Sequence, residues 1–234
     1  MKNILQRLKK YLENIKMHKI NDISYEEIFD YIDEYNDKDN EKMRKFREDC
    51  QRDNIPIIKK DVEDFLSFYL NIIKPEKILE IGCAVGYSSI FMSQVLKSKV
   101  KIDTLEISDE MAEKAQKNFN DFKMSNINII RGDALNTIPN LTDTYDMAFI
   151  DASKGHYDEF YKLIQARMKK NSNIICDNML FKGYLCMDHS QIPKRFKTIY
   201  KNMNIFLENI KKEKSIIYNL LPLGDGLLVI RNNN

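Results

Sequence analysis

Residues 79–89 read Leu79-Glu80-Ile81-Gly82-Cys83-Ala84-Val85-Gly86-Tyr87-Ser88-Ser89. An apolar run ends at the first glycine, a second glycine follows four residues later, and a helical pattern begins after it. Such glycines let a ligand approach the backbone closely, and the start of a helix offers free N–H groups. A dinucleotide site of the G-x-G-x-x-G type has glycine at the place of Ala84 and a third glycine after it. The stretch therefore favours a ligand that carries no pyrophosphate.

Two further strand ends extend this predicted ligand site. Glu106 ends the next apolar run, 20 residues after Gly86, where an acid can hydrogen-bond ribose hydroxyls. Arg131-Gly132-Asp133-Ala134 closes the third run, where it can hold an adenine edge. Taken singly, these are an ordinary strand-end carboxylate and an ordinary turn. Together the three strand ends indicate an adenosine without pyrophosphate, which points to S-adenosylmethionine.

Short apolar runs alternate with helical patterns over most of the chain. Strands are predicted at 77–81, 100–106, 127–130, 147–151, 173–177, 215–221 and 227–231, and helices at 59–73, 88–97, 109–122, 157–169 and 192–210. This alternation is typical of an α/β fold with a mostly parallel, doubly wound sheet, which binds ligands beyond the carboxyl ends of its strands. The turn Gly224-Asp225-Gly226 predicts that the last two strands form a hairpin.

Oxygen-bearing side chains follow the fourth and fifth predicted strands. Asp151 closes the fourth, and Asp177 and Asn178 close the fifth. A single aspartate at a strand end is more often a helix cap, but two adjacent strand ends together form an oxygen-only ligand set that suits Mg²⁺. Lys154 lies three residues after Asp151. A nearby dication and partial desolvation disfavour the ammonium form, so Lys154 is a candidate general base; the alternative is a solvent-facing loop lysine.

The overall charge balance argues against one class of protein and conceals an uneven distribution of charge along the chain. The 234 residues contain 37 Lys and Arg against 35 Asp and Glu, a net charge of +2, which is not that of a strongly basic nucleic-acid protein. Residues 1–151 nevertheless carry 23 basic and 28 acidic side chains, whereas residues 152–234 carry 14 basic and 7 acidic ones. Solvated helix faces explain such a division as well as a basic binding surface does.

The cysteines and the first residues bear on the compartment. Cys50, Cys83, Cys176 and Cys186 form no C-x-x-C pair, so a zinc site or a disulfide framework is not expected. The first 19 residues contain charges every few positions and no apolar segment of signal-peptide type, and no stretch approaches a membrane span. These features predict a soluble protein of the cytoplasm.

The N-terminal part is charge-rich and predicts two or three short helices. One apolar set at helical spacing is Ile4, Leu5, Leu8, Leu12 and Ile15, and another is Ile28, Phe29, Ile32 and Tyr35, with a loop at 36–40. We therefore expect an N-terminal helical extension at 1–54 and a second domain at 55–234.

The chain from about Ile55 to Arg231 resembles the cation-dependent O-methyltransferases, the family of catechol and caffeoyl-CoA O-methyltransferases. The resemblance rests on the stretch from Glu80 to Ser89, Glu106, R-G-D-A at 131–134, F-I-D-A-S-K at 149–154 and C-D-N at 176–178. Residues 55–58, 177–183 and 221–226 are similar to the bacterial tRNA 5-hydroxyuridine methyltransferases of this family.

This resemblance implies a Rossmann-like class I methyltransferase with a seven-stranded, mostly parallel sheet, a C-terminal antiparallel hairpin and N-terminal helices. It implies cofactor contacts at Ile58, Gly82, Ser88, Glu106, Asp133, Ala134 and Asp151, and a metal held by Asp151, Asp177 and Asn178. Lys154 and Asp151 take the places of the family's catalytic residues. Relatives are often homodimers, so a homodimer is expected.

The predicted reaction is Mg²⁺-dependent methylation of the 5-hydroxyl of wobble 5-hydroxyuridine in the tRNA anticodon loop, which gives 5-methoxyuridine. Candidate RNA contacts are Lys182, Lys194, Arg195 and Lys197. Tyr184, Phe181 or Tyr157 are candidates for base stacking, although packing in a core or lid explains them equally well. The main alternative is a small-molecule catechol or phenol O-methyltransferase. A nicotinamide-dependent oxidoreductase is disfavoured by the missing third glycine, and a module without catalysis by the set Asp151, Lys154, Asp177 and Asn178.

Overall fold

A computed structural model describes residues 24–36 and 41–233. The chain divides into two compact units, residues 1–40 and 41–234. In the first unit, helix α1 spans Tyr25–Asn36, as the spacing of its apolar residues predicts. The Ser24 hydroxyl accepts a hydrogen bond from the Glu27 amide (3.2 Å), and the Glu27 carboxylate accepts one from the Ser24 amide (2.6 Å), which together cap the helix. The helix predicted around residues 4–15 and most of the predicted loop lie outside the described residues.

The second unit is built from helices and strands in alternation. Its helices are α2 (Glu41–Arg52), α3 (Lys60–Ile73), α4 (Tyr87–Val95), α5 (Asp109–Asp121), α6 (Ala134–Thr137), α7 (Tyr157–Gln165) and α8 (Lys197–Lys212). Its strands are β1 (Lys77–Ile81), β2 (Lys101–Glu106), β3 (Ile127–Arg131), β4 (Tyr145–Ile150), β5 (Met168–Cys176), β6 (Ile216–Leu221) and β7 (Leu227–Asn232). No helix of the described residues is long and apolar enough to cross a membrane.

The strands form one seven-stranded sheet in the order β3-β2-β1-β4-β5-β7-β6. The pairs from β3 to β5 are parallel, whereas β7 is antiparallel to both β5 and β6. This topology confirms the predicted Rossmann-like methyltransferase fold and its C-terminal hairpin. The strand order reverses between β1 and β4, and a crevice for a ligand is expected at that position.

Helices cover both faces of the sheet, because alternate side chains of a strand point to opposite sides. On β1, Ile78 packs into a core with α3, α4 and α5, while Leu79 and Ile81 pack into a second core with α7 and α8. Helix α2 contributes Met43 and Cys50 to the first of these cores. The predicted domain boundary after residue 54 stays a prediction.

Several predicted boundaries differ from the observed ones. Helix α7 ends at Gln165 rather than 169, and β5 starts at Met168, five residues before the predicted start. The first half of β5 is mostly polar and only partly buried, with Lys170 and Asn171 exposed, so its sequence conceals the strand. Helix α8 starts at Lys197 rather than 192, because residues before it form short turns on either side of Pro193.

Candidate active site

The loop after β1 has a backbone that only a few residue types adopt easily. Gly82, Ala84 and Gly86 have φ values of +99°, +46° and +83°. A Cβ atom on Gly82 would overlap the carbonyl oxygen of Asp151, so the end of β4 approaches this loop too closely for any other residue. The glycine thus serves the close packing of two strand ends as well as the turn itself.

Glu106 holds this loop from the end of β2. Its carboxylate accepts hydrogen bonds from the backbone N–H of Ala84 (2.7 Å) and of Ser108 (2.9 Å). Each oxygen retains a lone pair, and Glu106 lines the cavity that opens above the strand ends. A carboxylate fixed at this position can accept hydrogen bonds from ribose hydroxyls, which agrees with the role predicted for it.

Beneath the loop lies a buried carboxylate that the sequence analysis did not select. Glu80 is fully buried, and the hydroxyls of Ser88, Ser89 and Thr104 all donate to it. Burial raises the pKa of Glu80 to about 7, although the three hydroxyls act in the opposite direction. Glu80 lies between apolar neighbours on β1. A charged residue inside an otherwise apolar strand is the sequence signal that could have identified this buried carboxylate.

The strand ends enclose a cavity of about 550 Å³, a size suited to a small molecule or cofactor. The cavity is lined by all seven residues predicted to bind the cofactor and also by Lys154 and Asn178; the seven are Ile58, Gly82, Ser88, Glu106, Asp133, Ala134 and Asp151. His156 and Phe160 also line it, and the sequence analysis assigned no site role to either. The site therefore assembles from segments that are up to 120 residues apart in the chain.

Asp133 also has a structural role. One of its carboxylate oxygens accepts a hydrogen bond from the Leu135 amide (2.9 Å), so the residue caps α6. Because it also faces the cavity, the side chain combines capping with a position beside the predicted adenosine.

The three predicted metal ligands lie together at the ends of β4 and β5. The Asn178 side-chain amide donates to Asp151 Oδ1 (3.0 Å), and the Asn178 backbone N–H donates to Asp177 Oδ1 (2.6 Å). Asn178 has a left-handed backbone (φ +60°), which asparagine tolerates better than most residues. Asp177 is 3% exposed and, unlike the other two, does not line the cavity.

The electrostatics of these carboxylates fit a bound cation. Burial, followed by repulsion from Asp151, raises the pKa of Asp177 to about 7. Burial likewise raises the pKa of Asp151, against the opposing charge of Lys154. The described residues contain no group of three or more His, Cys, Asp or Glu side chains placed to hold a metal ion, so the set reaches three ligands only through the Asn178 carboxamide. Two crowded carboxylates and an amide oxygen are a donor set for a hard dication with other positions left open.

Tyr157 fixes the spacing of these two strand ends. Its hydroxyl donates to the carbonyl oxygen of Asp177 (2.8 Å) and lies 3.4 Å from that of Ile150. The side chain is 1% exposed, so the expectation that Tyr157 stacks on a base is wrong. Phe181 is also buried and packs with Tyr184 and Phe196, which leaves only the half-buried Tyr184 near a surface.

The four predicted RNA contacts lie outside the cavity. Lys182, Lys194 and Arg195 are exposed and Lys197 is partly exposed. Within residues 24–36 and 41–233, none of the four forms an ion pair with a carboxylate. The Lys182 backbone N–H donates to Asp225 (2.6 Å), which fastens this loop to the turn between β6 and β7.

Known proteins share both sequence and fold with this chain. A family model described as O-methyltransferase matches residues 33–233. The catechol O-methyltransferase of Niastella koreensis is 31% identical over 134 residues, which cover 55% of this chain and 61% of that protein. The caffeoyl-CoA O-methyltransferase of Stellaria longipes is 27% identical over 179 residues, or 71% of this chain and 72% of that protein.

Solved structures agree with the topology. The S-adenosylhomocysteine-bound methyltransferase of Podospora anserina superimposes with a TM-score of 0.78 at 24% identity and covers 91% of this chain and 98% of that one. An O-methyltransferase from Bacillus cereus, also in complex with S-adenosylhomocysteine, gives a TM-score of 0.76 at 21% identity, with 87% and 96% covered. At these identities the likeness is one of fold.

Proposed function

Because the chain belongs to the O-methyltransferase family, we propose that it methylates the 5-hydroxyl of 5-hydroxyuridine at the wobble position of tRNA, giving 5-methoxyuridine. The chain is an S-adenosylmethionine-dependent O-methyltransferase of the caffeoyl-CoA and catechol type. The substrate is the proposal, and the observation that carries it is the group of exposed cations at 182–197.

The cations at 182–197 would favour a substrate that carries several negative charges. Lys182, Lys194, Arg195 and Lys197 have no carboxylate partner among the described residues, so no nearby negative side chain offsets their charge there. They follow β5 directly, in the segment that starts with the predicted metal ligands. A substrate that extends beyond the cavity and carries phosphates would meet them, whereas a free catechol would not.

The chemistry of the substrate fits the predicted ligands. In a catechol two oxygens stand on adjacent carbons, and in 5-hydroxyuridine the 5-hydroxyl and the 4-carbonyl oxygen are adjacent in the same way. A divalent cation, when held by Asp151, Asp177 and Asn178, supplies the positive charge that lowers the pKa of the substrate hydroxyl.

The side chains of the cavity divide the remaining work. Glu106 would accept hydrogen bonds from the ribose, and Asp133 with Ala134 would hold the adenine edge. Lys154, in its neutral form, would accept the hydroxyl proton while the oxygen takes the methyl group and the C–S electron pair returns to sulfur. With both reactants bound, the cavity walls would hold them at near-attack distance, which lowers the entropy cost of the transfer.

The test compares two acceptors with one preparation of protein. Labelled S-adenosylmethionine and Mg²⁺ are supplied with either tRNA bearing 5-hydroxyuridine or a catechol, and wobble nucleosides are analysed by mass spectrometry. We expect 5-methoxyuridine in the tRNA. Methylation of the catechol with no transfer to the tRNA would instead establish the small-molecule activity that the named relatives suggest.

Two further expectations remain proposals of the same kind. A homodimer would be recognised by analytical ultracentrifugation, and a cytoplasmic location by fractionation of cells. Neither changes the assignment of the cavity residues.

A further inference from the structure

Helix α2 has a charged residue on its inward face. Its inward side chains are Met43, Phe46, Arg47 and Cys50, which follow the i, i+3, i+4, i+7 spacing of an apolar helix face. At the third of these positions the pattern calls for an apolar side chain, yet the chain places an arginine there. The Arg47 side chain is only 14% exposed.

The partner of Arg47 is buried still more deeply. Glu63 of α3 is 1% exposed and forms an ion pair with the Arg47 guanidinium. Withdrawing two charges from water is costly, and apolar residues of similar volume often replace such a pair without loss of stability. A buried pair of this kind is therefore better explained by what it positions than by the stability it adds.

The same guanidinium reaches two walls of the cavity. Its Nη1 donates to the carbonyl oxygen of Ile58 (3.4 Å), and its carbon lies 5.3 Å from the centre of the Tyr87 ring. Ile58 belongs to the segment between α2 and α3, and Tyr87 is the first residue of α4. Both line the cavity, as do Pro56 and Ile57. One side chain thus connects three segments: 56–58, the start of α4 and, through Glu63, α3.

The rest of α2 reinforces this arrangement. Phe46 packs against Tyr87 (5.2 Å between ring centres) and against Phe122 at the end of α5 (5.4 Å). After α2 the chain turns at Asn54, which has φ +53°, and the Ile55 amide donates to the Cys50 carbonyl (2.8 Å). Residues 55–58 then run directly into the cavity wall, so their position follows from that of α2.

We propose that Arg47 is a positioning residue for the cofactor, which holds residues 56–58 and Tyr87 as two walls of the cavity while Glu63 neutralises its charge. This assigns the second N-terminal helix to the cofactor site. The inference rests on the proposed function only in that S-adenosylmethionine occupies the cavity. Arg47 itself does not line the cavity and acts through Ile58 and Tyr87.

The test uses two variants. One keeps a positive charge beside Glu63, and the other removes both buried charges together. Arg47→Lys keeps a cation beside Glu63 but loses the planar group over Tyr87 and the donor to Ile58. The double variant Arg47→Met with Glu63→Gln removes both charges at similar volume and leaves Lys60, which lies 4.0 Å from Glu63, with its second partner Asp64. In each variant we expect the Kd of S-adenosylhomocysteine, measured by calorimetry, to rise about tenfold, the order expected when one hydrogen bond and one cation–π interaction are removed.

A kinetic split separates positioning from general loss of structure. The KM for S-adenosylmethionine should rise in step with Kd, while kcat at saturating cofactor and the melting temperature stay close to those of the wild type. Arg52→Ala is the matched control, because Arg52 lies on the same helix and, within residues 24–36 and 41–233, its ion pairs are those with Asp49 and Asp53. The Kd of S-adenosylhomocysteine for Arg52→Ala should equal that of the wild type.

Two results would overturn the proposal. One is a wild-type Kd in both Arg47 variants. The other is a fall in kcat at saturating cofactor with Kd unaltered. If the wild-type protein itself bound no S-adenosylhomocysteine, the assignment of the cavity would fail first, and Arg47 would have no cofactor to position.

Discussion

The side-chain amide of Asn178 donates a 3.0 Å hydrogen bond to Asp151 and so joins residues that directly follow β4 and β5. Asp177 lies beside them, and its pKa is raised to about 7 by burial and by the charge of Asp151. The site therefore concentrates negative charge at one edge of the sheet, where a cation would be stabilised.

Replacement of Asp177 tests this charge directly. Asp177→Asn keeps the shape and removes the charge, so we expect Mg²⁺-dependent methyl transfer to fall by about a hundredfold or more. Binding of S-adenosylhomocysteine should change little, because Asp177 does not line the cavity. Methyl transfer is measured as initial rates at a series of Mg²⁺ concentrations, and binding of S-adenosylhomocysteine is measured by calorimetry. Asp158→Asn is the control, at a partly buried residue that does not line the cavity, pairs with Lys162 and accepts a hydrogen bond from Asn209. Full activity in Asp177→Asn refutes the metal assignment.

Glu106 should matter for the cofactor rather than for the metal. In Glu106→Gln one carboxylate oxygen becomes an NH₂ group, which must face the N–H of Ala84 or of Ser108 as donor against donor. We expect about a tenfold or greater rise in the Kd of S-adenosylhomocysteine. Glu110→Gln, at an exposed residue paired with Lys114, should leave Kd unchanged. Equal affinities in the two variants would contradict the ribose assignment.

Three glycines provide a graded test of the backbone. Gly82→Ala should destabilise the protein by about 3 kcal/mol or more, since the added Cβ overlaps the Asp151 carbonyl. Gly183→Ala has open space but φ +78°, so we expect a cost of about 1 kcal/mol. Gly155→Ala has neither problem and should stay within about 0.5 kcal/mol of wild type. Urea unfolding measures all three, and a different order would disprove the packing argument.

Glu80 predicts a pH dependence of stability. Its pKa is raised from 4.5 to about 7, so the folded state binds its proton more tightly than the unfolded state. This contribution is fully present below pH 4.5 and is lost as the pH rises through 7. Between about pH 5 and about pH 8, the wild type should lose on the order of 3 kcal/mol relative to Glu80→Gln. Unfolding of both proteins at the two pH values tests this; parallel pH profiles would show that Glu80 keeps an ordinary pKa.

The cations at 182–197 without a carboxylate partner among the described residues predict that tRNA binding weakens as the salt concentration rises. Binding of a catechol would not show this dependence. Lys194→Ala with Arg195→Ala should reduce the slope of log Kd for tRNA against log salt by about 2, one unit for each phosphate that is no longer neutralised. Lys211→Ala removes a lysine already paired with Glu208 and should alter the slope less. Methylation of small phenols should be the same in all three proteins. An unchanged tRNA slope would place the RNA surface elsewhere.

Local sequence was sufficient to locate the strands, apart from the first half of β5, and to select most of the residues that line the cavity. The apolar run at 77–81 coincides with β1, and the residues at five strand ends lie at one edge of the sheet because parallel strands all end there. This rule brings Asp133, Asp151 and Asn178 to one cavity without any knowledge of side-chain contacts.

Long-range pairing was beyond the reach of sequence patterns. Arg47 and Glu63 read as solvated charges on amphipathic helices, and only the docking of α2 on α3 makes them partners. For Tyr157 the sequence left base stacking and core packing equally open, and only the packing of α8 over α7, with Phe206 against its ring, decides for the core. The first half of β5 was missed because it is mostly polar and irregularly paired: Met168 pairs with Tyr145 of β4, a register shift follows, and regular pairing resumes at Asn173.

The place of β7 in the sheet has a consequence for synthesis on the ribosome. Strand β7 follows β6 in the chain but lies between β5 and β6, and among the described strands β6 pairs with β7 alone. The outer edge of β5 therefore stays unpaired until residues 227–232 have emerged, about 3–10 s after β5 at ordinary rates of translation. During that interval the nascent chain exposes an apolar strand edge to its neighbours on the same messenger, which is the stage at which a chaperone would protect it from association.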